Sequence, residues 1–426
     1  MVQWRAFVLI CSLIALASFW TTSKSSLGIE DVKDGNQDQG QGAQLKLPVP
    51  EPPEPLPPPR PVPPAPAVPA TPAALAEPPP PPPTDSTRAP SAGPPRRAIA
   101  SRCTDASLRH CASPRCKQAY SAVIGGAGTS CPGEESWVEG LVKVDPSPDK
   151  VIMNVGCNKG HDSVSWLEHF DQHGFWSLAK WTQLLSAFKA VCKIDTHLQK
   201  APKVNSKATP TAICVEAMPV NVELLKEMRK KAGYESTAYG QFQIIHGAAS
   251  DSAAPGATVE FPNGNAGKES GRMVLDGAKV KGNTVQVPLT TVDALVRDLK
   301  LSKVDILIID TEGADPAVLR GAAKTLGSVR YLLFEAHRDI EGSHWARETI
   351  FDVVSDLNGH GFDCYWAGHN GKLYSITFCY EKAFEKTRWS NIACVKRGDA
   401  WWDVLESKDP NSRRRSPKKR GRTGSQ

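Results

Sequence analysis

Apolar and polar positions change rhythm several times along the 426-residue chain. Val304-Asp-Ile-Leu-Ile-Ile309 is almost continuously apolar and stops at Asp310-Thr-Glu-Gly313. Such a run suits a strand buried on both faces of a parallel sheet. Val151–Val155 runs in the same way into Gly156-Cys-Asn-Lys-Gly160, and the apolar stretch within 212–217 meets Glu216. A helix is expected to begin at Asp162 or Ser163, either of which can cap it. Residues 166–212 are long for a crossover and carry a helical stripe at Trp181, Leu184, Leu185, Phe188, Val191 and Cys192. That stripe predicts either a wall or lid of a pocket, with Trp176 and Trp181 in it, or a helix packed on the sheet. Pro219 suits the first turn of a helix running to Gly233, and 242–248 reads as a strand. The glycine-rich stretch 251–283 predicts loops or a hairpin. Thr290 or Thr291 caps a helix to about Leu299, and Asp315-Pro316 opens another that ends before Gly327. A strand at 329–335 and a helix at 344–358 follow. Alternation over 362–367 and 372–380 predicts a terminal antiparallel pair. Strands alternating with helices predict an α/β fold, a doubly wound parallel sheet with a C-terminal antiparallel edge.

Three of these strands deliver polar residues at the same end, where open α/β sheets bind their ligands. Gly156 and Gly160 let backbone approach a ligand with no Cβ in the way, and the next helix offers free amide groups. Glu216, at the end of the following strand, is placed to accept the hydroxyls of a ribose. The pyrophosphate pattern Gly-X-Gly-X-X-Gly is absent, which favours a nucleoside cofactor without phosphates over a dinucleotide. Asp310, Glu312, Glu335 and His337 all fall at carboxyl ends of neighbouring strands and are candidate bases for a hydroxyl acceptor. Helix capping or ion pairing is the structural alternative for Glu335 and His337. A divalent ion held by some of the carboxylates would acidify the hydroxyl, although no ligand set for a metal is assigned.

Six blocks carry a resemblance: Asn154–Ser163, Val215-Glu-Ala-Met-Pro219, Ala248-Ala-Ser-Asp251, Val287–Leu295, Val304–Ala322 and Leu332-Leu-Phe-Glu335. Together, in this order over about 150–380, they resemble the FkbM-type methyltransferases. The resemblance implies the class I methyltransferase fold and S-adenosyl-L-methionine as cofactor, with a hydroxyl acceptor such as one on a sugar. It implies that Asn154 and Gly156 face the methionine part of the cofactor, with Gly160 in the same turn, and Glu216 its ribose. Asp251 and the backbone near Ala248 would lie near the adenine, and Asp310 and Glu312 would border the transferring methyl group and the acceptor. Asn154 stands where many relatives have Asp. A small-molecule acceptor, or a non-catalytic binding protein on a degenerate methyltransferase fold, are the alternatives.

The flanks read differently. Ala6–Trp20 is uncharged and follows Arg5, so 1–26 is expected to be a signal anchor or a cleaved signal peptide. Residues 27–100 are polar and then proline-rich, with six prolines at 78–83, and form an extended, disordered stem. This arrangement predicts a Golgi single-pass type II membrane protein, or alternatively a secreted one. No Asn-X-Ser/Thr sequon is present. Four cysteines crowd into 103–131 of the segment 101–150, which predicts disulfides, with a zinc site of Cys103, Cys111, Cys116 and His110 as runner-up. Cys157 and Cys214, in or beside buried strands, are expected to be inert thiols. Cys364, Cys379 and Cys394 are expected to pair with one another or with Cys192. The methyltransferase domain is expected over 151–407 and a basic, disordered tail over 408–426. Seven of the positive charges lie in 413–422, and without them the formal charge of +6 falls to −1. No nucleic acid is expected as partner, whereas the tail offers contact with a polyanion.

Overall fold

The computed structural model describes residues 136–409, apart from 189–193, 195, 270, 272, 274–282, 339–342, 369–370, 378, 381 and 387–388. The expected anchor, stem, four-cysteine cluster and basic tail lie outside the described residues. Among the described residues no helix is long and apolar enough to cross a membrane.

An eight-stranded sheet forms the centre. It contains β1 (Val151–Val155), β2 (Thr211–Glu216), β3 (Gln241–His246), β7 (Ile306–Ile309), β8 (Tyr331–His337), β9 (Phe362–Ala367), β10 (Leu373–Ser375) and β11 (Trp389–Lys396), in the order β10-β9-β11-β8-β7-β1-β2-β3. The pairs from β3 to β8 are parallel and the last three are antiparallel. A separate three-stranded sheet joins β4 (Ala248–Ala249), β5 (Thr258–Pro262) and β6 (Thr284–Thr290), with β5 and β6 antiparallel. Of the stretch 251–283, expected to be loops or a hairpin, β5 forms one strand of an antiparallel pair whose partner β6 begins just beyond it.

Strand alternation sends Met153, Val155, Leu307, Ile309, Leu332 and Phe334 to one face of the sheet, and Ile152, Ile306, Ile308 and Leu333 to the other. The first face is covered by α5 (Val292–Asp298), α6 (Asp315–Arg320) and α7 (Ile350–Gly359). The second is covered by α1 (Trp137–Val144), α2 (His161–Phe170), α3 (Leu178–Leu184), α4 (Pro219–Ala232) and α8 (Trp402–Lys408). Both faces of β1, β2, β7 and β8 are largely buried, which is why their sequences read as apolar runs, whereas the edge strand β3 is half exposed. The caps are those expected from sequence at Thr291, whose side chain accepts from Ala294 N, and at Pro219 in the first turn of α4.

Four elements depart from the sequence reading. The strand β11 enters between β8 and β9, so the C-terminal edge is three strands rather than a hairpin. The expected strand 372–380 shortens to β10, and the helix expected at 344–358 is a 3₁₀ turn, His344–Ala346, followed by α7. Helix α1 lies inside the segment expected to be only Cys-rich, yet Trp137 is fully buried and its indole donates to the Tyr331 hydroxyl at 3.0 Å. Cys157 and Cys214 are not free thiols but a disulfide. The turn after β1 folds back over β2, with Gly156 and Cys157 N–H both donating to Val215 O, and this brings the two Cα atoms to 5.4 Å.

Cys364 and Cys394 form a second disulfide, directly opposite each other on β9 and β11. The backbone of Cys364 bonds away from β11, to Ile376, Thr377 N and the Thr377 hydroxyl. The pair is thus of the non-hydrogen-bonded type, in which facing side chains come closest.

Candidate active site

The strand order reverses at β1, which has β2 on one side and β7 on the other. A cavity of about 540 Å³ opens there, at the carboxyl ends of β1, β2, β7 and β8. Its floor is the turn 156–160. Gly156 has φ +83°, and a Cβ on it would stand 1.8 Å from the Asp310 carbonyl oxygen. Only glycine lets the β1 turn and the end of β7 close up this far. Beside the turn, Glu216 is almost fully buried, and its oxygens accept the backbone N–H groups of Asn158 and Met218, both at 2.8 Å. Burial raises the Glu216 carboxyl above its ordinary range, against the lowering effect of those amides. The Asn221 side chain is a third donor to this carboxylate, which still has lone-pair capacity for a ligand hydroxyl.

The opposite wall is acidic. Asp310 ends β7 with its side chain exposed to the cavity and no hydrogen-bond or ion-pair partner among the described residues. Burial of its surroundings, then the charges of Glu335, Glu312, Asp315 and Asp162, hold its carboxyl well above the usual range. Glu312 has φ +53°, uncommon for a residue with a Cβ. Asp315 clasps this turn from the start of α6, accepting from Gly313 N at 3.2 Å and Glu335 N at 3.3 Å. His337 Nδ1 lies 3.1 Å from Glu312 Oε2 and 3.2 Å from Glu335 Oε2. Burial alone would lower the imidazole, but the bonds to Glu312 and Glu335 raise it to about 10, so it is cationic at neutral pH. The Trp389 indole N–H donates to the other oxygen of Glu335.

Of the residues expected from sequence, Gly156, Glu216, Asp310, Glu312, Glu335 and His337 line this one cavity. Asn154 and Gly160 do not. Asn154 is buried one step below the floor, with Nδ2 3.5 Å from Ser163 Oγ and Oδ1 without a partner. Gly160 caps α2 at φ +73°. Asp251 stands outside the cavity wall, paired with Arg320 at 2.9 Å.

Of the other cavity residues only Ala248 was marked by the sequence, as backbone near the adenine. Met218, Phe261 and Ala248 form a small apolar cluster with Val287 next to Glu216, a surface suited to a flat ring. Lys159 donates to Gly267 O and pairs with Glu269, while Asn158 and Asn221 side chains hold the backbone at 267–268. These contacts lay the stretch after β5 across the cavity. Phe261, Lys268 and Glu269 fall in a stretch without periodicity, and Trp389 on the unassigned β11, so no pattern marked them. Lys159, His161 and Asp162 lie inside the block Asn154–Ser163, where the glycines drew the attention.

The insertion helix is a packing element. Trp176 and Trp181 are fully buried, and Trp181 Nε1 donates to Lys159 O at 2.8 Å, bracing the floor from behind.

Asp162, in the first turn of α2, lines the cavity, and burial pushes its carboxyl up from 3.8 to about 6. The native state thus holds this proton to higher pH than the unfolded chain. Its contribution to stability is full below the unfolded value and is lost as pH rises through about 6. Asp162→Asn should therefore stabilise the protein by about 3 kcal/mol near pH 8 and by less than about 1 kcal/mol near pH 4. Melting curves at the two pH values check this, and an equal shift at both would exclude a titrating Asp162.

A mainly parallel, doubly wound sheet with a glycine turn and carboxylates gathered at its strand ends is the α/β architecture in which ligands bind at the switch point. Residues 145–364, just over half of the chain, match the Methyltransferase FkbM domain, and the chain belongs to that family. No curated protein matches the chain.

Proposed function

We propose that the protein is an S-adenosyl-L-methionine-dependent methyltransferase that methylates a hydroxyl of a glycan or glycoconjugate in the secretory pathway. The observation that carries this reading is the Asp310 carboxylate, which has no hydrogen-bond or ion-pair partner among the described residues and faces the cavity at the β1/β7 switch point. The cavity fits the cofactor on three counts. Gly156 leaves room that a Cβ would fill, Glu216 has lone pairs for hydroxyls, and the apolar group of Met218, Ala248 and Phe261 suits the base. The acidic wall of Asp310, Glu312 and Glu335 also complements a cationic ligand.

When bound, the cofactor supplies a methyl group on a sulfonium, already a good electrophile. The protein's own work is alignment and removal of one proton. Asp310 takes the acceptor hydroxyl's proton, and its raised carboxyl makes it a stronger base than a free aspartate. Glu312 and Glu335, tied together through His337, orient the acceptor. The stretch at 267–269 laid over the turn excludes water from the cofactor side.

A glycan acceptor suits an acidic, hydrogen-bonding wall, and disulfides in two places support an oxidising compartment. The uncharged Ala6–Trp20 and the proline-rich stem support attachment to a membrane at the N-terminal end.

The protein should bind S-adenosyl-L-methionine in isothermal titration, and Glu216→Ala should weaken that binding by about 1.5–3 kcal/mol. Absence of affinity at millimolar cofactor would end the enzyme reading. Labelled cofactor presented with glycans and with small alcohols then identifies the acceptor class.

A further inference from the structure

Glu312, Glu335 and His337 offer one ligand atom each, and these three atoms lie within 4.8 Å of one another. Glu312 comes from the turn after β7, and Glu335 and His337 from the end of β8, the adjacent parallel strand. Two carboxylate oxygens and one imidazole nitrogen form a donor set for a divalent cation of intermediate hardness. The set has the outer support that metal ligands carry. The Trp389 indole fixes the far oxygen of Glu335, and Asp315 holds the backbone N–H groups of Gly313 and Glu335. A separate observation points to a missing ligand. The Asp310 carboxylate opens to the same cavity from the end of β7, without a partner among the described residues.

We propose that Glu312, Glu335 and His337 bind a divalent cation of the Mn²⁺ kind, with an open position facing the cavity for the acceptor hydroxyl. The inference rests on the methyltransferase reading and adds a cation to its chemistry. The chemistry calls for it, because an unactivated sugar hydroxyl is a very weak acid and a carboxylate alone is a poor base for it. Coordination lowers the pKa of a bound hydroxyl. The hydroxyl proton then passes to Asp310 as the oxygen bonds to the methyl carbon. The carbon–sulfur bond breaks with its electron pair on sulfur, leaving a neutral thioether. The cation is unchanged, and Asp310 returns the proton to solvent.

The test uses the full chain, stripped with a chelator and titrated with Mn²⁺ alone, free Mn²⁺ being read by electron paramagnetic resonance. One saturable site is expected, and Glu312→Gln and His337→Gln should each weaken it by about tenfold or more. A cooperative melting transition, measured in parallel, should persist in both variants and shows that they are folded. The stripped wild type provides a second readout that needs no substitution, a saturable rise in melting temperature on adding Mn²⁺. No binding at millimolar Mn²⁺, or binding that both substitutions leave unchanged, overturns the proposal. Wild-type protein that takes up Mn²⁺ at these residues but no cofactor supports the cation site and counts against the methyltransferase reading, so the two failures are distinct.

Discussion

Asp310→Asn is expected to lower the methyl-transfer rate by about 10²–10⁴-fold, the range for loss of a positioned base. The substitution keeps the shape of the side chain and removes its ability to take a proton. Folding should not suffer, since no described hydrogen bond or ion pair to the Asp310 carboxylate is lost. The pH dependence gives the prediction its sign. The native carboxyl is held well above 3.8 by its buried surroundings and by Glu335, Glu312, Asp315 and Asp162. Wild-type rate must therefore rise with pH as Asp310 ionises, and the variant must lose that limb of the profile. Stability runs the other way, because the raised carboxyl favours the native state at low pH and disfavours it as pH rises through its native value. The variant should melt no lower than wild type at neutral pH. Retention of most of the rate by a folded variant would remove Asp310 from the chemistry.

The Cys157–Cys214 disulfide carries the second large expectation. It closes a separation of 57 residues, for which loop entropy gives about 3–4 kcal/mol. The double variant Cys157→Ala/Cys214→Ala should thus melt about 10 °C lower. It should also bind cofactor less tightly, because the bridge holds the turn whose Asn158 N–H meets Glu216, two residues beyond Cys214. The variant isolates this bridge, whereas a reductant would also open Cys364–Cys394. A double variant that melts and binds like wild type would show that hydrogen bonds to Val215 and Glu216 alone hold the turn.

What could be read in advance follows from where burial acts. The parallel strands are covered on both faces, so 151–155, 211–216 and 306–309 announced themselves as apolar runs. Helices α4 and α5 were legible from Pro219 and Thr291. Strand β11 was not assigned, although it is buried in the middle of the antiparallel region. Its Trp389-Ser-Asn-Ile-Ala-Cys-Val-Lys396 is short of the long aliphatic run that marks β7 and has no turn signal tying it to β9. Helix α1 was hidden by its neighbours in sequence, a cysteine cluster and a proline-rich stem.

The same division holds at the site. By itself the sequence determined that acids and glycines stand at the carboxyl ends of β1, β2, β7 and β8, because strand ends and the parallel topology leave them nowhere else to go. Tertiary structure alone decided which of them share a cavity. Asn154 lies beneath the floor because it sits inside β1, two residues before Gly156, and Asp251 is held outside by Arg320 from α6. Only the fold brings Cys157 over Cys214, lays residues 267–269 across the turn, and closes Glu312, His337 and Glu335 into one cluster. Each of these contacts joins residues whose spacing along the chain carries no periodic signal, and their distances are set by how strands and turns pack.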